Sequence, residues 1–156
     1  MTAALWPSVV SGLVSAWTAS APAGWQVWDG KPLTWDQLER GVAVGVEAAL
    51  EDGQSGSVRQ EWRDAGPAPL AARQESGTVT CAMWVQDGGE DIAGLRSQLW
   101  DCLTVLTGVA IQIEPLGVDG LTSVSCLSQA RPLQRWMPDG TLVAVEFDVA
   151  YSGLTY

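Results

Sequence analysis

Apolar positions along the chain change period several times, and each change predicts an element. Val10, Leu13, Val14 and Trp17 stand at i, i+3, i+4 and i+7, one apolar face of a helix that begins at Pro7 and ends near Ser20. Proline suits the first helical position, where a missing N–H costs nothing, and the Ala-Pro-Ala-Gly run at 21–24 stops the helix. A short apolar strand at 25–28 runs into Asp29-Gly30, a pair that reverses the chain at little strain because glycine accepts positive φ. A link holding Pro32 follows, then a Val- and Gly-rich strand at 41–50. Thr34 and Gln37 have the form of a capping box, so a helical turn is expected inside that link. The turn-rich run 51–57 leads to a strand at 58–63, and a Pro- and Ala-rich loop at 64–72 leads to another at 74–85. There Val79, Cys81, Met83 and Val85 alternate with Thr78, Thr80 and Ala82, and strand 58–63 is the expected partner.

The period then returns to that of a helix. Asp87 is placed to cap it, Glu90 and Asp91 suit the positive end of its dipole, and Ile92, Leu95, Leu99, Leu103 and Leu106 form its stripe up to Gly108. A short strand is expected at 109–114, closed by Pro115. Two longer strands, 121–130 and 141–151, are joined through a turn at Pro138-Asp139-Gly140. In the last strand Val143, Val145, Phe147, Val149 and Tyr151 share one face, while Glu146 and Asp148 read as the solvated one. Pro132 makes the other strand an edge strand, or a bulged one. The sum is an α+β fold: a single domain over residues 1–156, with a mixed, mostly antiparallel sheet and two helices packed on one face.

Charge changes the picture more than length does. Eight basic residues against eighteen acidic ones give a net charge of −10, a surface that repels phosphate and excludes sequence-specific DNA binding. No apolar run is long enough to cross a bilayer, and no basic residue precedes the first apolar stretch, so a soluble protein made in the cytoplasm is expected. One Lys against seven Arg, no Asn and nine Trp fit a gene of high G+C content, as in actinobacteria and their phages.

Candidate chemistry is sparse. With no His, nucleophilic triads are excluded, and a Ser–Lys pair would have to use Lys31 in a turn. Gly41 and Gly45 have G-x-x-x-G spacing but no Gly-Lys-Ser/Thr after them, so close backbone approach is expected there rather than a phosphate loop. Asp29, Asp36 and Glu39 lack the spacing of a calcium loop, and pairs such as Glu90-Asp91 are easy to find among eighteen acids. Cys81, Cys102 and Cys126 lie far apart among apolar neighbours and read as free core thiols. No metal, cofactor or catalytic residue is expected. The tryptophans carry more information: Trp17, Trp25 and Trp84 fall at core positions, whereas Trp28, Trp35, Trp62, Trp100 and Trp136 stand at turns and element margins. Tryptophan in such places either seals a core edge or anchors a protein contact. Base stacking would need interleaved Lys and Arg that the chain lacks.

The block from Trp25 to Glu47, a short strand, Asp29-Gly30, a link with Pro32 and a Val/Gly strand, stands after one helix and before further strands, a second helix and a final hairpin. In that order the chain resembles the tail terminator proteins of long-tailed bacteriophages over about residues 5–151. The resemblance implies a structural virion protein and no enzyme. Its implied form is a hexameric ring at the head-proximal end of the tail, assembled in the host cytoplasm, that ends tail-tube polymerisation. Its implied partners are further copies of itself, the major tail tube protein and a head-completion or connector protein, with DNA passing through the channel without specific binding and no membrane involved. Another neck or tail-completion component, or a small cytoplasmic binding or enzyme domain of a high-G+C bacterium, are the other readings. Many members of the family are more basic than this chain. In a ring, the runs 51–57, 64–72 and 138–140 are the loops expected to project toward neighbouring rings. Trp28, Trp35, Trp62, Trp136, Pro138 and Asp139 are therefore the candidate interface residues, with Trp62 and Trp136 as the expected anchors on the tail tube.

Overall fold

In a computed structural model the described residues are 4–46, 61–64, 73–111 and 115–155. Two helices, α1 (Leu5–Ser20) and α2 (Ile92–Ala110), accompany six strands: β1 (Val27–Asp29), β2 (Arg40–Val44), β3 (Glu61–Asp64), β4 (Arg73–Asp87), β5 (Leu121–Met137) and β6 (Gly140–Thr155). The sheet runs β1-β2-β4-β6-β5, with β3 beside β4. β2 pairs with β4 over residues 81–85 and β3 over residues 73–76, so the two share one edge of that long strand. All pairs are antiparallel except β1 with β2. The fold is the expected α+β arrangement with a mixed sheet.

Both helices cover the same face. Val9, Leu13 and Trp17 of α1 and Leu95, Leu99, Leu103 and Leu106 of α2 form one buried cluster with Val79, Cys81, Met83 and Val85 of β4 and Val143, Val145, Phe147, Val149 and Tyr151 of β6. The period-two faces read from the sequence are the ones the helices bury. Trp17 joins the layers: its indole N–H donates to the Leu106 carbonyl at 2.9 Å, and its ring lies 6.0 Å from that of Phe147. The start of α1 is fixed from the sheet. Glu75, fully buried on β4, accepts the backbone N–H of Leu5 at 2.7 Å, that of Trp6 at 3.0 Å, and the Tyr151 hydroxyl at 2.9 Å. A carboxylate from a distant strand thus serves donors that the first helical turn leaves open.

Several local expectations need correction. Asp29-Gly30 turns the chain, with Gly30 at φ 78°, but β2 returns parallel to β1, Val27–Asp29 pairing with Val42–Val44. A parallel pair needs a connection back to the starting end, and residues 30–39 supply it across the second face of the sheet. The helical turn in that link exists as a 3-10 helix, Trp35–Gln37, but Thr34 makes no side-chain cap. In so short a turn the backbone closes it, Gln37 N–H on Thr34 O at 3.0 Å.

At α2 the cap is Asp91, whose Oδ1 accepts the Gly94 N–H at 2.9 Å; Asp87 instead accepts from Gly89 at 3.3 Å. Residues 88–90 stay outside the helix, so only Asp91 stands at capping distance from its first turn. α2 also continues through Gly108, so no strand forms at 109–111; residues 112–114 lie outside the described ones. Leu106 and Ala110 remain buried on either side of Gly108, and their packing outweighs the roughly 1 kcal/mol that one helical glycine costs. Residues 47–60, which hold the end of the expected strand 41–50, the link 51–57 and the start of strand 58–63, lie outside the described residues, as do residues 65–72 of the expected loop 64–72.

β5 and β6 are longer than expected, joined at Met137–Gly140. β5 is the edge strand that Pro132 foretold, with register shifts between Leu121 and Ser123 and between Cys126 and Ala130.

Candidate functional site

Among the described residues, the face of the sheet away from the helices is covered at one end. Ala43, Val46, Ala82, Trp84, Leu142 and Ala144 form a second buried cluster there, against which Trp28, Trp35, Leu38 and Leu133 pack. The 30–39 link is the lid of this cluster. Trp84 donates its indole N–H to the Leu38 carbonyl at 3.1 Å, Gln86 donates to the same oxygen at 2.8 Å, and Trp35 meets Trp84 edge-on at 5.9 Å. Lys31 lies over the Trp35 ring, Nζ 4.7 Å from the ring centroid, a cation–π contact. Gly41 sits opposite Trp84 in the β2–β4 ladder, and a Cβ there would stand 2.7 Å from the indole Cη2. This is the close approach the G-x-x-x-G spacing suggested, made by a side chain of the neighbouring strand.

Farther along the same face, polar groups replace the apolar ones. Arg131 of β5 donates through Nε and Nη2 to Glu146 of β6, at 3.0 Å for Nε, and its Nη2 lies 3.7 Å from Asp148. Thr80 of β4 donates to Asp148 at 2.9 Å. Glu146 is buried, which corrects the reading of a solvated strand face. The guanidinium lies across Glu146 and gives the carboxylate a partner in place of water.

A groove of about 520 Å³ opens where β2 starts, β4 ends and β6 begins, beside the first turns of α2. Its rim carries Glu39, Arg40, Asp87 and Asp139; Val85 and Leu95 are its buried apolar members. These residues come from four separated stretches, and no spacing in the sequence announces them.

Among the described residues, large apolar side chains reach solvent at five places. Leu33 is fully exposed in the link over the second face; Trp100, Val105 and Ile111 lie on the outer side of α2 and at its end; Trp136, 63% exposed, stands on β5 next to the hairpin turn. Of the sequence candidates, Trp136, Pro138 and Asp139 therefore gather at one exposed corner. Trp28 and Trp35 are half-buried against their own sheet. Trp62 lies in β3, with its side chain outside what the structure describes. Leu33, Val105 and Ile111 went unread in the sequence. For Leu33 the signal was present, an apolar residue directly after Lys31-Pro32 in a link. Ile111 was hidden by the expected strand.

The cysteines are free thiols. Burial pushes Cys81 well above the ordinary thiol range, Cys102 up to about 12 and Cys126 up to about 11, so none is an activated nucleophile at neutral pH. Among the described residues no three His, Cys, Asp or Glu side chains come together as a metal site, and no helix is long and apolar enough to cross a membrane.

No protein-family model and no curated protein matches the chain. Among solved structures it is similar to a chain from the virion of a native gene transfer agent particle, at 15% identity and a TM-score of 0.43, over 96% of each chain.

Proposed function

We propose that this chain is a virion structural protein of the tail terminator kind. Copies form a ring at the head-proximal end of a phage tail, end polymerisation of the tail tube, and join the tail to a head-completion or connector protein. The observation that carries the reading is the distribution of exposed apolar side chains over opposite sides of the fold: Leu33 on the sheet's second side, Trp100, Val105 and Ile111 along α2, Trp136 on the hairpin. An enzyme concentrates its unusual features in one cleft, whereas a subunit held between neighbours spends them on several outer faces. The resemblance of residues 25–47 and of the element order supports the same reading. So does a charge of −10, suited to a channel wall that DNA passes without adhering.

Electron microscopy of the purified protein, alone and mixed with tail tubes, tests this. Closed rings seated on tube ends are the expected result. Rings that bind connectors and ignore tubes would make it another neck component, and monomers under every condition would overturn the structural reading.

A further inference from the structure

Two features of the sheet's lower end, where β5 ends and β6 begins, are complementary to each other and stand on the two sides of the start of β6. On one flank is Trp136, an indole largely in water on the edge strand β5. β5 carries Arg131 and Arg135 and no acidic residue across its seventeen positions, in a chain with eighteen acids. On the other flank is the groove of about 520 Å³, with Glu39, Asp87 and Asp139 against a single Arg40 on its rim and Val85 and Leu95 inside. A cavity of a few hundred Å³ has room for one aromatic side chain. Within one chain the two adjoin: Trp136 pairs with Thr141, which lines the groove, and Thr141 pairs with Asp87 on its rim, yet the indole stays 63% exposed beside the groove.

We infer that Trp136 of one copy enters this groove of the next, with Arg135 facing the rim carboxylate of Glu39, and that this is the contact that closes the ring. The inference rests on the ring reading above. The occupant is a second copy because a protein of charge −10 repels its own kind except where a basic strand meets an acidic rim, and β5 carries two arginines and no acid. Arg135 also has a contact within its own chain, so it meets the rim as a positioned charge and not as a free arm. Because the indole of one copy meets the groove of the next, the contact is head-to-tail. Such contacts repeat copy after copy and close into a ring when the rotation allows. Trp136 is thereby assigned to the neighbouring copy and not to the tail tube. Tryptophan at the centre of a contact commonly carries much of its strength.

Mass photometry of the full-length protein over a range of concentrations tests the inference, with circular dichroism confirming that each variant is folded. Trp136→Ala should weaken assembly at least tenfold. Arg135→Glu and Glu39→Arg should each stay below the ring mass on their own. An equimolar mixture of those two variants should recover it, since copies alternating around a ring meet with opposite charges at every contact. Rings that form equally well from the parent, Trp136→Ala and both charge variants would overturn this contact and leave the ring standing. Charge variants that fail alone and fail equally when mixed would overturn it as well. A parent that remains monomeric even on tail tubes would remove the ring and the contact together.

Discussion

On the helix side of the sheet the chain closes its own core; on the other side it closes only half of one. The helix side is apolar from Leu5 to Tyr151, and even the start of α1 is held by a buried carboxylate from β4. The second side begins with a tryptophan-rich cluster under the 30–39 link and continues as Arg131, Glu146, Asp148 and Thr80. Among the described residues, the difference follows the chain length on each side. Two helices, of 16 and 19 residues, span one face, whereas a link with a single 3-10 turn spans part of the other. Where no described apolar element covers the strands, Arg131, Glu146, Asp148 and Thr80 pair with one another instead.

The sharpest way to break the helix side is Glu75→Ala. It would leave the Leu5 and Trp6 N–H groups and the Tyr151 hydroxyl without that acceptor in a buried place. Hydrogen bonds to charged groups are worth about 1.5–3 kcal/mol each and are not additive, so a loss of about 3–5 kcal/mol is expected by urea unfolding. Tyr151→Phe removes one donor and should cost less. A Glu75→Ala variant as stable as the parent would mean that α1 is held by its apolar face alone.

The matching strike on the second side is Gly41→Ala. Its methyl group would collide with the Trp84 indole, which cannot swing away while its N–H is bonded to Leu38 and its ring edge packs on Trp35. Overpacking of this kind costs about 1–3 kcal/mol. Near-ultraviolet circular dichroism should change with it, because three tryptophans surround the site. A loss of stability with an unchanged tryptophan signal would place the strain elsewhere.

Alkaline pH separates the two sides without a mutation. Cys81 and Cys102 lie in the helix-side core and Cys126 packs against it, and burial raises all three thiols above their ordinary value of 9.0. The folded chain then holds protons that the unfolded chain releases. Their contribution is complete below pH 9 and falls as pH rises through about 11 for Cys126 and about 12 for Cys102. Melting temperature should therefore decline from pH 9 to 11, and the decline should be shallower in a variant with all three cysteines replaced by alanine. An equal decline in that variant would assign the effect to other groups, the tyrosines first.

What was legible in the sequence follows from how locally each feature is encoded. The faces of β4 and β6 and the stripe of α2 were readable because period and burial coincide, and Pro132 announced an edge. The parallel return of β2 was not, since Asp29-Gly30 describes only the turn itself and not where a long link brings the chain back. Asp87 misled because two acidic residues compete for one cap and local sequence does not say where the helix begins. Glu75 gave no sign of its role: its partners lie 69 to 76 residues away. Among the site features, Trp136, Pro138 and Asp139 were visible as a hairpin corner, whereas the groove beside them is built from stretches that only the fold brings together.

The smallest effect tests where α2 meets the outside. Gly108 was expected to end that helix, yet it lies inside it, exposed, with nothing within 4 Å of where a Cβ would stand. Gly108→Ala therefore adds helix propensity and meets no obstacle, and should stabilise the isolated subunit by up to about 1 kcal/mol. A loss of stability would show that the helix really ends there, as its sequence suggests. The same variant also reads the outer side of α2, where Trp100, Val105 and Ile111 are exposed. A glycine on such a surface lets a neighbour approach the helix backbone closely, and a methyl group would hold it off. If that side is open in the proposed ring, the variant should form rings as readily as the parent while melting higher. Higher melting together with weaker ring formation or weaker tube capping would identify this side of α2 as a contact in its own right, separate from the corner at Trp136.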